Sequence, residues 1–447
     1  MNMIQDVERT EFPAQAPHAA CLAWAHAFAE EVDPLALLAI AEGHPRFFWQ
    51  TPSGEVVAGV GVARRVRMSQ KTNFAAVREG VRRMLSDVRS VGDRHAPQPV
   101  AVGGFAFDER EDERWAAFGS AHFVVPRVLL HRRREGAWLT VIAAEAAEAA
   151  RLWRRVHRRL RRANFELGSA PCRAHASDAH PEREIWLAHV ARAVEAVRAG
   201  TLRKVVLART VRYPGCRPDP VAALAHLRQR YVGSYCFLFE PRAGHAFFGA
   251  SPETLAEVEN GALRTMALAG SARRGATPED DAAQAESLLR SVKDRHEHAL
   301  VAEAIVQAVQ PLSVSVHVEP TPHVLRLPNI QHLHTPITAH LRPTVDVWDV
   351  LAQLHPTPAV GGLPRSAALA LMQQLEPFAR GWYAAPFGVA NAAGEGHFAV
   401  AIRSALATPE GVTLFAGAGI VADSEPQREW EETALKLRPL LEAITQP

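Results

Sequence analysis

Cysteine is scarce in this chain: Cys21, Cys172, Cys216 and Cys236 are the only four in 447 residues. No two form a Cys-x-x-Cys pair, which argues against a zinc ribbon or a dithiol redox motif. Reduced thiols in a reducing compartment are expected. A surplus of one charge is also missing. Fifty Lys and Arg oppose 48 Asp and Glu, for a net charge of +2, so neither nucleic acid nor a membrane surface is an expected partner. No uncharged run is long enough to span a bilayer, and the N-terminus lacks the basic-then-apolar pattern of a signal peptide. A soluble, cytoplasmic protein is expected. Internal repeats, low-complexity tracts and regular βαβ alternation are absent too. What remains is an ordinary globular composition, 48% hydrophobic and 22% charged, long enough for one large domain or two to three average ones.

Two regions differ in character. Up to about Leu167 the chain is rich in Arg and Ala. Strands are predicted at Gly103–Phe107 and His122–Val125, and a helix over Ala143–Ala163, where Leu152, Val156 and Leu160 recur every four residues. The seven arginines of that helix read as a solvated face, with a basic docking patch as the alternative. Gly168–Pro181 is polar and linker-like. From Glu182 onward, a helix leads into a strand at Lys204. A second helix follows near Val221–Arg230, then strands at Tyr235–Phe239 and Ala246–Ala250, and one long helix over Glu279–Val309. Near the C-terminus, His397–Leu406 alternates, Thr408–Gly411 turns and Val412–Ala416 returns, so part of the sheet is antiparallel.

Lys204 heads Lys-Val-Val-Leu-Ala-Arg, sharing a strand face with Val206 and Ala208. An ammonium among small apolar side chains is costly, and burial favours the uncharged amine, a usable base. The plain alternative is a lysine reaching water at a sheet edge. Glu297 heads an apolar helical stripe with Val301 and Ile305, so it needs a cation, and Lys293 one turn earlier is the local choice. Its neighbours His296 and His298 do not make the i, i+4 pair of a zinc helix. Glu429 and Glu432 share a helix face and suit a magnesium ion, although Glu432 with Lys436 also reads as a surface pair. Arg403 is expected on the strand face of Ala399, Ala401 and Ala405, with room beside it for a carboxylate. Gly417-Ala418-Gly419-Ile420-Val421-Ala422 mimics a dinucleotide fingerprint, but Asp423–Pro426 is not expected to open a helix. These glycines read instead as backbone able to approach an anion. Glu253 ends Gly-Ala-Ser-Pro-Glu on a rigid turn, where alone it would be a helix N-terminal acid.

In this order, Lys204–Arg209, Gly249–Glu253, Leu268–Gly275, Lys293–His298, His355–Gly362, Ala401–Ser404, Gly417–Val421 and Glu429–Thr433 resemble the motifs of the chorismate-utilising enzymes. The resemblance covers about Ile185–Leu440, and more loosely Gly103–Phe107 and Phe118–Leu130. It implies an α+β fold: one large domain of stacked, extended antiparallel sheets with helices outside. Residues 1–170 would form the divergent part of that fold and 182–447 the chorismate-binding catalytic region, with the linker-like stretch a surface loop. Lysine at 204, rather than glutamine, resembles members that activate water. Ala269 stands where aminodeoxychorismate synthases carry lysine. Together these resemble the isochorismate synthases, and Leu325–Pro336 resembles their menaquinone branch. The alternatives are a salicylate synthase, a siderophore-pathway isochorismate synthase, or a subunit coupled to a glutaminase.

The resemblance implies Lys204 as base and Glu253 as acid, with Glu297 and Glu432 holding Mg2+. Tyr383, Arg403, Lys436, Gly417 and Gly419 would bind substrate carboxylates. Ser271 and His332 match further pocket positions, and His355 a position near the substrate's hydroxyl end. Chorismate is the implied substrate. No glutaminase partner and a monomeric state are expected.

Overall fold

The computed structural model describes residues 21–28, 32–69, 73–162, 172 and 178–445. Its architecture follows from alternating side chains. In the strand Tyr235–Arg242, Tyr235, Phe237 and Phe239 enter one core, while Cys236 and Leu238 enter a second. The first core is aromatic: Phe237 and Phe387 lie 4.9 Å apart, and Phe123 and Trp348 5.2 Å apart. The second is closed by the helices Leu35–Ala39, Ala146–Arg162, Pro220–Arg230 and Pro426–Thr445, whose apolar stripes cover the opposite sheet face.

The described strands form one hydrogen-bonded network of 21 members. Its pairings are antiparallel except for that between Cys21–Ala27 and Val88–Gly92. The chain is thus a single large α+β domain with an extended antiparallel sheet. Strands from the N-terminal region are stitched directly to later ones: Arg46–Gln50 pairs with Tyr235–Arg242, and Ala101–Phe105 pairs with Pro386–Ala390. Among the described residues, no helix is long and apolar enough to cross a membrane.

Several sequence expectations change. The long helix over 279–309 is two helices, Pro278–Arg290 and Val292–Val309. Ser291 breaks it, its hydroxyl accepting from Asp294 N to cap the second helix. A helix does open at Pro426, contrary to expectation. The glycine motif still cannot wrap a dinucleotide, because Gly417 and Gly419 lie inside the strand Gly411–Ile420, paired with Ala208 and Val206. The hairpin forms with Thr408 opposite Gly411. Arg403, however, lies off the strands, with φ +50, in a three-residue break between Gly396–Val400 and Ser404–Thr408. The thiols are not all reduced: Cys172 and Cys216 form a disulfide with Cα atoms 5.5 Å apart, while Cys21 and Cys236 are buried thiols. Apart from Cys172, the linker-like stretch lies outside the described residues up to Asp178.

Candidate active site

Lys204 begins the strand Lys204–Pro214, whose central position between the strands Gly411–Ile420 and Gly362–Leu363 buries it to 1% exposure. The helix Pro426–Thr445 is docked beside it by Arg209. That guanidinium stacks 3.8 Å over Trp430, and its Nε donates to Thr433 Oγ1 at 2.7 Å, contacts worth on the order of 1–2 kcal/mol together. With Trp430 and Thr433 so anchored, Glu429 and Glu432 turn toward the lysine strand. The helix Val292–Val309 approaches from another side with Lys293, Asp294 and Glu297.

These elements line a cleft with a cavity volume of about 80 Å³. Lys204, Glu253, Ser271, Glu297, His332, Tyr383, Arg403, Gly417, Gly419, Glu432 and Lys436 all line it. His355 does not. It is half-buried outside the cleft lining, its Nε2 3.3 Å from Phe107 O and its ring edge-on to Phe107, so the structure separates it from the other expected site residues. Lys293 and Asp294 are the charged cleft residues that sequence reasoning left without a site role, while Glu429, read there only as sharing a possible metal-binding face with Glu432, also lines it.

The ion pairs are not the local ones expected. Lys204 Nζ lies 2.9 Å from Glu297 Oε1, while Lys293, the expected partner of Glu297, lies 3.1 Å from Glu429 Oε1. Glu432 does meet Lys436, but inside the cleft rather than on the surface, and Lys436 Nζ also donates to Gly417 O at 3.0 Å. Gly419 makes the Lys204–Glu297 contact possible. A Cβ there would stand 2.3 Å from Glu297 Oε1 and 2.9 Å from Lys204 Cε.

Glu253 ends a tight turn in which Ser251 Oγ donates to Val400 O and accepts from Glu253 N. Burial pushes its carboxyl up to about 8, although the Lys204 and Lys436 charges pull the other way. Burial and the adjacent Glu432 push Glu429 up to about 7 against the pull of Lys293. Glu432 is half-buried, and although desolvation raises its carboxyl, Lys436 holds it below the usual glutamate range.

A bulge at Gly270 (φ +77) turns Ser271 into the cleft opposite His332. Arg403 Nη2 donates to His332 Nε2 at 3.1 Å, which places the ring proton on Nδ1. Nδ1 then donates toward Ser271 Oγ and Gly270 O, and Ser271 Oγ donates to Glu432 Oε1 at 3.4 Å. Burial and the Arg403 charge keep His332 neutral. Arg403 is 5% exposed, and its Nη1 has no hydrogen-bond partner among the described residues. An unmet buried guanidinium donor is suited to a ligand carboxylate.

The cleft also fits a hard divalent cation by its donor set. Asp294, Glu297, Glu429 and Glu432 offer only carboxylate oxygens, the donors such a cation takes. Glu297, Glu429 and Glu432 are each turned onto a lysine, and Asp294 accepts from Ser291 Oγ, rather than all converging. Among the described residues, the one group of three ligating side chains within 4.8 Å is Glu257, Glu259 and His397, none of which lines the cleft.

Comparison with known proteins places this geometry. A salicylate biosynthesis isochorismate synthase of Pseudomonas aeruginosa is 39% identical, over 93% of this chain and 89% of its own length. The isochorismate synthase MenF of Bacillus subtilis is 35% identical, over 89% of this chain and 88% of its own. The solved structure of MenF, the menaquinone-specific isochorismate synthase from Escherichia coli, superposes with a TM-score of 0.79 at 29% identity, covering 94% of both chains. Anthranilate synthase component I from Streptococcus pneumoniae, at 22% identity and a TM-score of 0.74, shares the fold. The chorismate binding enzyme model matches residues 5–445, and the chain belongs to that family.

Proposed function

We propose that the chain is an isochorismate synthase, moving a hydroxyl from C4 to C2 of chorismate by adding water at C2 as the C4 hydroxyl departs. The observation that carries this reading is the pairing of a buried lysine with a protonated carboxyl in one cleft: Lys204 is 1% exposed, and Glu253 is held up to about 8. Addition with departure requires two opposite proton transfers, one from water and one to the leaving oxygen. Lys204 takes the first, and Glu253 supplies the second. Below pH 8 the Glu253 carboxyl keeps its proton, the state a donor needs.

The remaining residues bind and orient. Arg403 Nη1 offers its unmet donor to a substrate carboxylate, while Tyr383 and Lys436 supply further donors along the same wall. The hydrogen-bonded series Arg403, His332, Ser271, Glu432 holds these groups in register. Glu297 and Glu432 would hold Mg2+, which when bound neutralises the ring carboxylate. The chain would act without a glutaminase. Alanine at 269, on the cleft wall, and lysine rather than glutamine at 204 favour water over ammonia as nucleophile.

Relatives named for menaquinone and for salicylate biosynthesis both match, and both names share the isochorismate-forming step. The experiment is to incubate the purified chain with chorismate and Mg2+ in the absence of ammonia, and to separate the products by liquid chromatography. Isochorismate alone is expected. Fluorescent salicylate with pyruvate would instead establish a lyase, and turnover that appears only with ammonia would overturn the water-adding assignment.

A further inference from the structure

Between its paired ends, the lysine strand has a stretch on one edge where, among the described residues, no strand lies beside it. Gly362–Leu363 pairs only with Val205 and Lys204, and the next neighbour, Asp178–His180, begins at Thr210. The backbone groups of Val206 and Ala208 on this edge still have partners. Gly361 O accepts from Val206 N at 2.8 Å. Val206 O accepts from Arg380 Nη2 at 2.8 Å, and Ala208 N donates to Glu376 Oε1 at 2.8 Å. Two side chains thus make the rungs a missing strand would make.

This pair is built to hold its place. Arg380 is 0% exposed, and its Nε and Nη2 form a two-pronged contact with the Glu376 carboxylate. Its Nη1 donates to Val360 O at 2.7 Å, and the guanidinium lies 4.4 Å over the Phe107 ring. Tyr383 N donates to Arg380 O at 3.1 Å. One guanidinium therefore touches the strand of Lys204 and the loop of Val360, and its backbone anchors the turn of Tyr383. All three furnish cleft walls. Neither Glu376 nor Arg380 lines the cleft, so both act only through what they hold.

We propose that Glu376 and Arg380 are positioning residues for Lys204: a side-chain rung that fixes the lysine strand against the loop and turn opposite it. The inference rests on the reading of Lys204 as the base. Losing the rung frees Val206 and Ala208 to shift by fractions of an ångström, displacing an amine that must meet a water aimed at one carbon. Substrate binding depends more on Arg403 and Lys436, which the rung does not touch, whereas Tyr383, Gly417 and Gly419 feel it only through the backbone of its turn and of Ala208 and Val206.

The test uses the paired variant Glu376→Leu/Arg380→Met. It removes both charges and so leaves no unpaired ion buried. Glu376→Gln serves as the milder companion, keeping an acceptor for Ala208 N but losing the charged fork. Three quantities are measured on the full chain: kcat and KM for chorismate, the thermal midpoint, and amide hydrogen exchange in the peptide carrying Val206 and Ala208. In the paired variant, kcat per folded molecule is expected to fall about 100-fold with KM changed less than about threefold, alongside faster exchange at Val206 and Ala208. The thermal midpoint drops because Val206 O, Ala208 N and Val360 O lose their partners, so rates are compared where both proteins are fully folded. If the paired variant does not fold, the same pattern in smaller degree is read from Glu376→Gln. A folded variant with wild-type kcat overturns the proposal, as does a rate that falls only in step with the folded fraction. A wild-type chain that forms no isochorismate would remove the parent reading, whereas the exchange result stands apart from activity and tests the rung itself.

Discussion

Replacing Glu253 with glutamine separates what this carboxyl does for the reaction from what it does to the fold. Glutamine has nearly the shape of the protonated acid but can never ionise. In the unfolded chain a glutamate ionises near 4.5, whereas in the fold Glu253 holds its proton up to about 8. Between those values the native state binds more protons than the unfolded one, so stability falls as pH rises through the window. Each pH unit costs the native state about 1.4 kcal/mol. From pH 6 to pH 8, with the slope easing as the carboxyl itself begins to ionise near 8, Glu253 should therefore cost the wild type on the order of 2 kcal/mol that Glu253→Gln does not lose. Urea unfolding of both proteins at the two pH values measures this directly, because other titrating groups cancel in the comparison. The glutamine variant should gain on the wild type as pH rises, while its kcat falls by about 10²–10⁴-fold for want of a proton donor. A stability gap equal at both pH values would mean that Glu253 is already ionised at pH 6, and would refute its role as the acid.

Lys204→Gln should lower kcat by about 10²–10⁴-fold while chorismate binding, followed by calorimetry with Mg2+, persists; an undiminished rate would end the base assignment. Protein stripped with a chelator should be inactive and recover with Mg2+. Glu432→Ala should no longer recover and should lose the calorimetric Mg2+ response, whereas a wild-type Mg2+ titration in that variant would return Glu432 to a purely structural ion pair. Thiol labelling of unfolded, unreduced protein should find two thiols, those of Cys21 and Cys236. Reducing the Cys172–Cys216 bridge, which spans 44 residues, should lower stability by up to about 4 kcal/mol. Four labelled thiols without reductant would show that the bridge is not formed.

How legible the site was depended on the range of the interactions that build it. Lys204 could be read from strand alternation because its burial follows from a period of two, and the Thr408–Gly411 turn from local chemistry. The motif order then placed all but one of the named residues around one cleft. What periodicity could not show was partner choice across the fold. Lys293 sits one helical turn from Glu297, yet Glu429 captures it from 136 positions away, leaving Glu297 to Lys204. Arg403 sits in an alternating run that the fold breaks with a positive φ, and alternation carries no mark of that break. Ser291 did carry a signal, a serine three residues before Asp294 as in a helix cap, but the apolar pattern on either side suggested continuity. Glu376 and Arg380 offered nothing beyond an i, i+4 pair, since the strand gap they fill exists only once the sheet is assembled. His355 is held outside the cleft lining by Phe107, on which Arg380 also stacks.

The central claim is that solvent water becomes the new C2 hydroxyl, drawn in by Lys204 as Glu253 releases the old one. It is tested most directly by running the reaction in water enriched in heavy oxygen and weighing the product by mass spectrometry. Isochorismate carrying one heavy oxygen at C2 is the expected result. Unlabelled isochorismate would mean that the C4 oxygen migrates within the substrate, and would contradict the claim.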